Sequence, residues 1–191
     1  MKCVFCDIDF SKIENTIIYE SEFFYVLPTI GSLVDGYILI VSKRHVNSSA
    51  CLNQYELNEY KNLISKYQNI FKKVYGKTPI VFEHGTYDKN SASSVIHAHT
   101  HIVNINFKNE KEILDKYNFF EIDDFSLIEK SRNYIKYISN DKIYITYDFP
   151  SVSQFMRILV SNEIGIYDKY DWRSEEFLSN IISTIDKLKG E

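Results

Sequence analysis

Val95-Ile96-His97-Ala98-His99-Thr100-His101-Ile102-Val103 is the stretch that decides the fold. Three of the chain's five histidines stand here at every second position. Along a β-strand, side chains at i, i+2 and i+4 point to one face, whereas a helix scatters the same spacing around its cylinder. Val95, Ile96, Ile102, Val103 and Ile105 are strand formers, and no Pro or Gly interrupts them. The stretch reads as a strand with an imidazole row on one face and Ala98, Thr100 and Ile102 on the other. Each imidazole carries a polar nitrogen pair and is costly to bury without partners. The bland reading is a His-rich strand facing solvent. The functional reading is a site that needs neutral imidazoles, as metal ligands or as nucleophiles facing a phosphate.

The segments before this strand place other chemistry near it. Gly36 opens Tyr37-Ile38-Leu39-Ile40-Val41, a continuous apolar run suited to a buried strand. Ser42-Lys43-Arg44-His45 follows at once, so His45 stands where a residue can enter a site at the strand end. Residues 16–20 and 22–27 read as a strand hairpin, and Pro28 to Ser32 as a loop. From Asn53 to Tyr75, apolar residues recur every three or four positions (Leu57, Tyr60, Leu63, Ile64, Tyr67, Ile70, Phe71, Val74), which predicts a helix ended by Gly76. Residues 79–83 form a short strand leading into Glu83-His84-Gly85. The polar loop 86–94 then delivers the chain to the histidine strand. Ser93 and Ser94, at its end, can offer hydroxyl and backbone N–H groups to an oxyanion.

Cys3-Val4-Phe5-Cys6 is a CxxC knuckle that lets two thiolates grip one Zn²⁺. Alone it is half a site, because structural zinc takes four ligands. A redox use would need a strand before it and a helix after it, and two idle thiols remain the third option.

After Phe107 the character changes. Helices are expected at 110–117 and 123–132, and a hairpin at 134–138 and 142–147 about Asn140-Asp141. Another helix is expected at 151–163, and a last amphipathic one after Trp172. Gln154 and Arg157 share a helix face at i and i+3, and Arg suits oxyanions.

Bulk properties narrow the function. The chain has 191 residues, 45% of them hydrophobic, and a formal charge of −4. That supports one domain with an appendage and gives no basic face for nucleic acid. Nucleotides remain admissible, because small phosphates are held by local donors. The start of the chain does not read as a secretory signal, and no stretch approaches membrane-span length. A cytoplasmic protein with neither a nucleic-acid nor a membrane partner is expected.

Taken together, these motifs resemble the histidine triad (HIT) superfamily. His97 to Val103 fits its His-φ-His-φ-His-φ-φ pattern, with Thr100 in one apolar place. Cys3-Val4-Phe5-Cys6 is similar to the N-terminal Cys-x-Phe-Cys of many bacterial members. Gly36 to His45 is similar to their Gly-His-x-Leu-Val-Ile-Pro-Lys-x-His. The resemblance covers roughly residues 1–107. It implies an α+β fold, with a HIT domain at 1–107 of antiparallel sheet and packed helices; with no linker in the sequence after it, 108–191 reads as a C-terminal α/β extension packed on that domain. Ser153 to Arg157 and Tyr170 to Arg173 resemble segments in the tails of larger bacterial members.

The resemblance also implies a nucleotide phosphohydrolase or nucleotidyltransferase acting at an α-phosphate through a covalent nucleotidyl-histidine. His99 would be the nucleophile, with His97 and His101 beside it as further catalytic residues. His101 could donate to phosphoryl oxygens or protonate a leaving group. Ser94 holds the place of the family's phosphate-binding hydroxyl. The substrate-binding set is then Ser94, Ser93, His84, Thr29, Gln154 and Arg157. The zinc ligands implied are Cys3, Cys6, His45 and His97, a closed and therefore structural site. Three places depart from the family pattern. Thr29 stands where an acidic residue grips the ribose, His84 where an Asn precedes Gly, and Ala92 where a Gly opens the serine segment. The competing class is a non-catalytic, zinc-stabilised nucleotide-binding regulatory module, against which the intact His99 argues. Many members form two-fold homodimers, so a second copy is the protein partner implied, unless the tail fills that face.

Overall fold

The structure, a computed structural model, describes residues 3–87, 95–174 and 176–191. Among the described residues, eight strands form one antiparallel sheet: β1 Tyr19–Glu20, β2 Phe24–Pro28, β3 Tyr37–Ser42, β4 Ile80–Gly85, β5 His99–Val103, β6 Phe120–Ile122, β7 Tyr134–Ser139 and β8 Lys142–Thr146. Their spatial order is β1-β2-β3-β5-β4-β7-β8-β6. The histidine strand β5 is thus central, with β3 on one side and β4 on the other. This is the α+β, HIT-like antiparallel architecture expected. The strands after residue 107 continue the same sheet, because β7 pairs with β4 from Val81 to Gly85.

The sheet is covered by the helices α1 Gln54–Tyr75, α2 Glu110–Lys116, α3 Phe155–Glu163 and α4 Leu178–Leu188. On one face, Tyr60, Leu63, Tyr67 and Phe71 of α1 pack on Ile38, Ile40, Val81 and Ile102. On the other, Phe155, Met156 and Val160 of α3 pack with Tyr37, Phe82 and Val103. The α1 start is fixed by a reciprocal capping box between Asn53 and Glu56, and its end by Gly76 in the left-handed region. Asn140 and Asp141, both at positive φ, turn the β7–β8 hairpin. Gly85 is required by packing, since a Cβ there would fall within the Tyr134 ring.

Three expectations are corrected. The helix expected at 151–163 begins only at Phe155, because Gln154 takes the left-handed conformation (φ 62°) before it, so Gln154 and Arg157 do not share a helix face. Residues 123–132 hold only a 3₁₀ turn at Phe125–Leu127, started by the Asp124 side chain; Phe125 and Ile128 reach the core from a chain too irregular for a helix. The regular strand begins at His99 and not at Val95, because the chain at Ala98 bonds both to Val46 and to Ser42 instead of laddering along one neighbour.

Candidate active site and metal centre

Register sets the row. Leu39 lies opposite His101 and Val41 opposite His99 across β3 and β5, while Phe82 of β4 pairs with His101. His99, His101 and His84 accordingly face one cavity of about 280 Å³. Its walls are apolar where the N-terminal segment and β2 meet (Phe5, Ile8, Leu27), and the start of α3 closes it with Gln154, Phe155 and Arg157.

The hydrogen bonds fix the protons on two of the three rings. His99 Nδ1 lies 2.6 Å from the His97 carbonyl oxygen. A carbonyl only accepts, so Nδ1 carries the proton and Nε2 keeps its lone pair. His97 Nε2 lies 2.7 Å from the Ser42 carbonyl, so its Nδ1 is the bare nitrogen. His101 stacks on Phe82 (ring centroids 4.5 Å apart, 12° between planes), and its Nδ1 is 2.9 Å from the Tyr37 hydroxyl. Burial, the first cause in each case, lowers the affinity of all three rings for a second proton. The charges of His99, Arg157 and His84 push His101 further down. Burial also lowers His84, to about 4. The cavity is therefore lined by neutral imidazoles at neutral pH.

His97 does not line the cavity. It is 1% exposed, and its bare Nδ1 turns to the cysteines, 3.3 Å from Cys3 Sγ and 3.7 Å from Cys6 Sγ. Its share in the row is the carbonyl that orients His99. His45 Nδ1 is 3.2 Å from Cys6 Sγ, and the ligand atoms of Cys3, Cys6, His45 and His97 all lie within 4.8 Å of one another. Zinc–sulfur and zinc–nitrogen bonds at tetrahedral angles put S and N about 3.6 Å apart. The cluster's spacings match that edge, the donor set is one Zn²⁺ takes, and His97 is already in the metal-ready tautomer. The residues fit zinc. Burial and the neighbouring Cys3 thiol push the Cys6 thiol up.

The other expected site residues divide. Thr29 lines the cavity, but its hydroxyl donates to the Ile30 carbonyl at 3.2 Å. His84 lines it too, and its Nε2, buried, has no partner among the described residues. Gln154 Nε2 donates to Asp171 and its Oε1 accepts from the Trp172 N–H, so its amide holds the 170–173 turn against the cavity. Arg157 is 4% exposed and donates to the carbonyls of Tyr170 (2.8 Å) and Gly31 (2.6 Å); no carboxylate lies within 4.0 Å of it among the described residues. Ser93 and Ser94 lie outside the described residues.

Sequence reasoning missed several neighbours. Phe5 stands between the two centres, its ring 5.6 Å from His97 and 5.1 Å from His99. Its place between the cysteines was the available signal. Tyr37 touches His101, and alternation along β3 puts it on the same face as Leu39 and Val41. Trp172 lines the cavity from a turn with no periodicity to reveal it.

A central antiparallel strand presenting neutral imidazoles to a cavity, with a Cys₂His₂ cluster at its entry, defines a histidine triad protein. Residues 2–116 match the family model described as "Scavenger mRNA decapping enzyme C-term binding". That is more than half of the chain, and the chain belongs to this HIT-like family. Among curated proteins no match was found. Similar solved structures include a zinc-bound histidine triad family protein from Mycobacterium smegmatis (20% identity, 58% of this chain and 79% of that one, TM-score 0.47). Another is a HIT family hydrolase from Clostridium thermocellum (20%, 56% and 96%, TM-score 0.43). A third is a hypothetical histidine triad nucleotide-binding protein from Sulfolobus tokodaii (20%, 53% and 67%, TM-score 0.44).

Proposed function

We propose that the protein is a nucleotide phosphohydrolase or nucleotidyltransferase in which His99 attacks an α-phosphate. The observation that carries this reading is the 2.6 Å bond from His99 Nδ1 to the His97 carbonyl. It leaves Nε2 as an electron-pair donor on a ring that faces the cavity. Attack forms an Nε2–P bond and breaks the bond from phosphorus to the leaving group. The His97 carbonyl stabilises the positive charge that the ring gains. Water then returns the enzyme as a hydrolase; phosphate or a sugar phosphate returns it as a transferase. The apolar wall of Phe5, Ile8 and Leu27 gives a base a surface to pack on. His84 Nε2 and the Arg157 guanidinium offer donors to phosphate oxygens.

Cys3, Cys6, His45 and His97 would hold Zn²⁺ with no open position, so the ion would brace the N-terminal segment against β5. The cavity residues themselves do the binding and the phosphoryl chemistry.

Intact-mass spectrometry after brief mixing with diadenosine tetraphosphate, or separately adenosine phosphoramidate, tests the proposal. The quench must avoid acid. A gain of one nucleotidyl group in the wild type and none in His99→Ala is expected. Turnover without an adduct, or with an adduct that persists in His99→Ala, would sink it.

A further inference from the structure

We infer that Tyr37 fixes His101 as an Nε2–H tautomer, so that adjacent imidazoles on one strand face present opposite groups to the cavity: a bare nitrogen on His99 and an N–H on His101. Carbonyl partners settle the protons of His97 and His99, but a hydroxyl can donate or accept, so the direction of the Tyr37–His101 bond is set by what else surrounds the Tyr37 hydroxyl. The Tyr37 side chain is completely buried at the head of β3, with its hydroxyl 2.9 Å from His101 Nδ1. A buried phenolic O–H needs an acceptor, because leaving it without one forfeits the hydrogen bond it had with water and gains nothing in return. Among the described residues, His101 Nδ1 is the one acceptor with which the Tyr37 hydroxyl makes a hydrogen bond. The other polar neighbour, the Arg157 guanidinium 5.4 Å from the Tyr37 ring centroid, has donors alone. If Nδ1–H donated to Tyr37, the phenol proton would be stranded. Tyr37 therefore donates to Nδ1, and the neutral ring keeps its proton on Nε2. That nitrogen has no protein partner among the described residues, and His101 lines the cavity. Stacking on Phe82 holds the ring plane.

The choice of residue matters. The resembling pattern has a histidine where this chain has Tyr37. A second imidazole can change tautomer or charge near neutral pH; a phenol has one proton to donate. Burial pushes the Tyr37 hydroxyl up, so that proton stays in place. The contact also gives the C-terminal part of the chain a hand in the site, since Arg157 of α3 packs on the ring that orients His101. On the proposed function, His101 then meets a phosphoryl oxygen as a hydrogen-bond donor and keeps its proton. Full transfer would leave an imidazolate, so the leaving group departs as its own anion or takes a proton from water.

Nitrogen-15 spectra of histidine-labelled protein, without nucleotide, read this directly. The His101 ring is assigned by its loss in His101→Gln. In the wild type its couplings should show a protonated Nε2 and a bare, hydrogen-bonded Nδ1, the reverse of His99. In Tyr37→Phe the His101 nitrogens should shift toward exchange between the two tautomers. A wild-type His101 protonated at Nδ1, or a Tyr37→Phe spectrum with its nitrogens unmoved, overturns the inference. Should Tyr37→Phe fail to fold, the wild-type assignment decides alone. Because no turnover is read, failure of the covalent mechanism and failure of this inference are separate results.

Discussion

Glu83 and Lys136 form an ion pair at 2.7 Å with side chains 1% and 0% exposed. It joins β4, which carries His84, to β7 of the C-terminal part. Lys136 Nζ also donates to Ser49 Oγ and to the Tyr60 hydroxyl, and Tyr60 reaches Thr100, between the two cavity histidines, at 2.5 Å. Burial alone would raise the Glu83 carboxyl and lower the Lys136 amine; each partner's charge and hydrogen bonds reverse that, so both stay ionised. The pair lies on the α1 side of the sheet, behind the cavity.

Removing one partner leaves a buried charge uncompensated, which costs about 3–5 kcal/mol. Lys136→Met should lower stability by that amount in urea unfolding. The double variant Lys136→Met, Glu83→Leu should be less destabilised than Lys136→Met alone. A Lys136→Met variant within 1 kcal/mol of wild type would show that the pair does not hold β7 to β4.

Acid should act through His84. Its folded value of about 4 lies below the ordinary 6.5, with burial as the main cause and the His99 charge next. The unfolded chain takes up this proton as pH falls through 6.5, while the folded chain refuses it until about 4. Stability is therefore lost across that window, by roughly 3 kcal/mol for the full shift. His84→Asn should flatten the fall in unfolding free energy between pH 6.5 and 4. An unchanged slope would mean that His84 is protonated in the folded protein at ordinary acid pH.

The sheet and most helices were legible because their signals are local. Alternation at β5, the apolar run of β3, the capped stripe of α1 and the Asn140-Asp141 turn each encode themselves within a few residues. The Cys3, Cys6, His45 and His97 set was legible only through resemblance, because a four-ligand site gathers residues 39 and 91 positions apart (Cys6 to His45, Cys6 to His97). The Glu83–Lys136 pair was illegible. Lys136 sits in an alternating strand where a charged residue ordinarily marks the solvent face, and here that position faces the core under α1. The division of labour within the histidine row was also hidden: period two puts three rings on one face, but the carbonyls of Ser42 and His97 decide which nitrogen each ring offers.

The Cys3, Cys6, His45 and His97 cluster should hold one Zn²⁺. Zinc analysis of the purified protein should find one ion per chain, and Cys6→Ser should lose it. Stripping the ion with a chelator should lower the melting temperature. A metal-free wild type with the same melting temperature would show that the four residues hold the N-terminus without an ion.

Phe5 tests whether that cluster matters to the cavity. It is carried between Cys3 and Cys6, and its ring lies 5.1 Å from His99 while it lines the cavity. Fixing the two sulfurs fixes the ring, and the ring walls off one side of His99 from water. Phe5→Ala leaves all four cluster ligands in place and removes only the wall. If the apolar wall binds the nucleoside in both ground and transition states, KM should rise about tenfold with kcat little changed, which corresponds to about 1.4 kcal/mol of uniform binding. If the ring instead holds His99 for attack, kcat should fall and KM should stay. Either split, read alongside unchanged zinc content, would place the effect at the cavity and not at the metal. A loss of zinc in Phe5→Ala would instead make the ring a part of the knuckle's own packing.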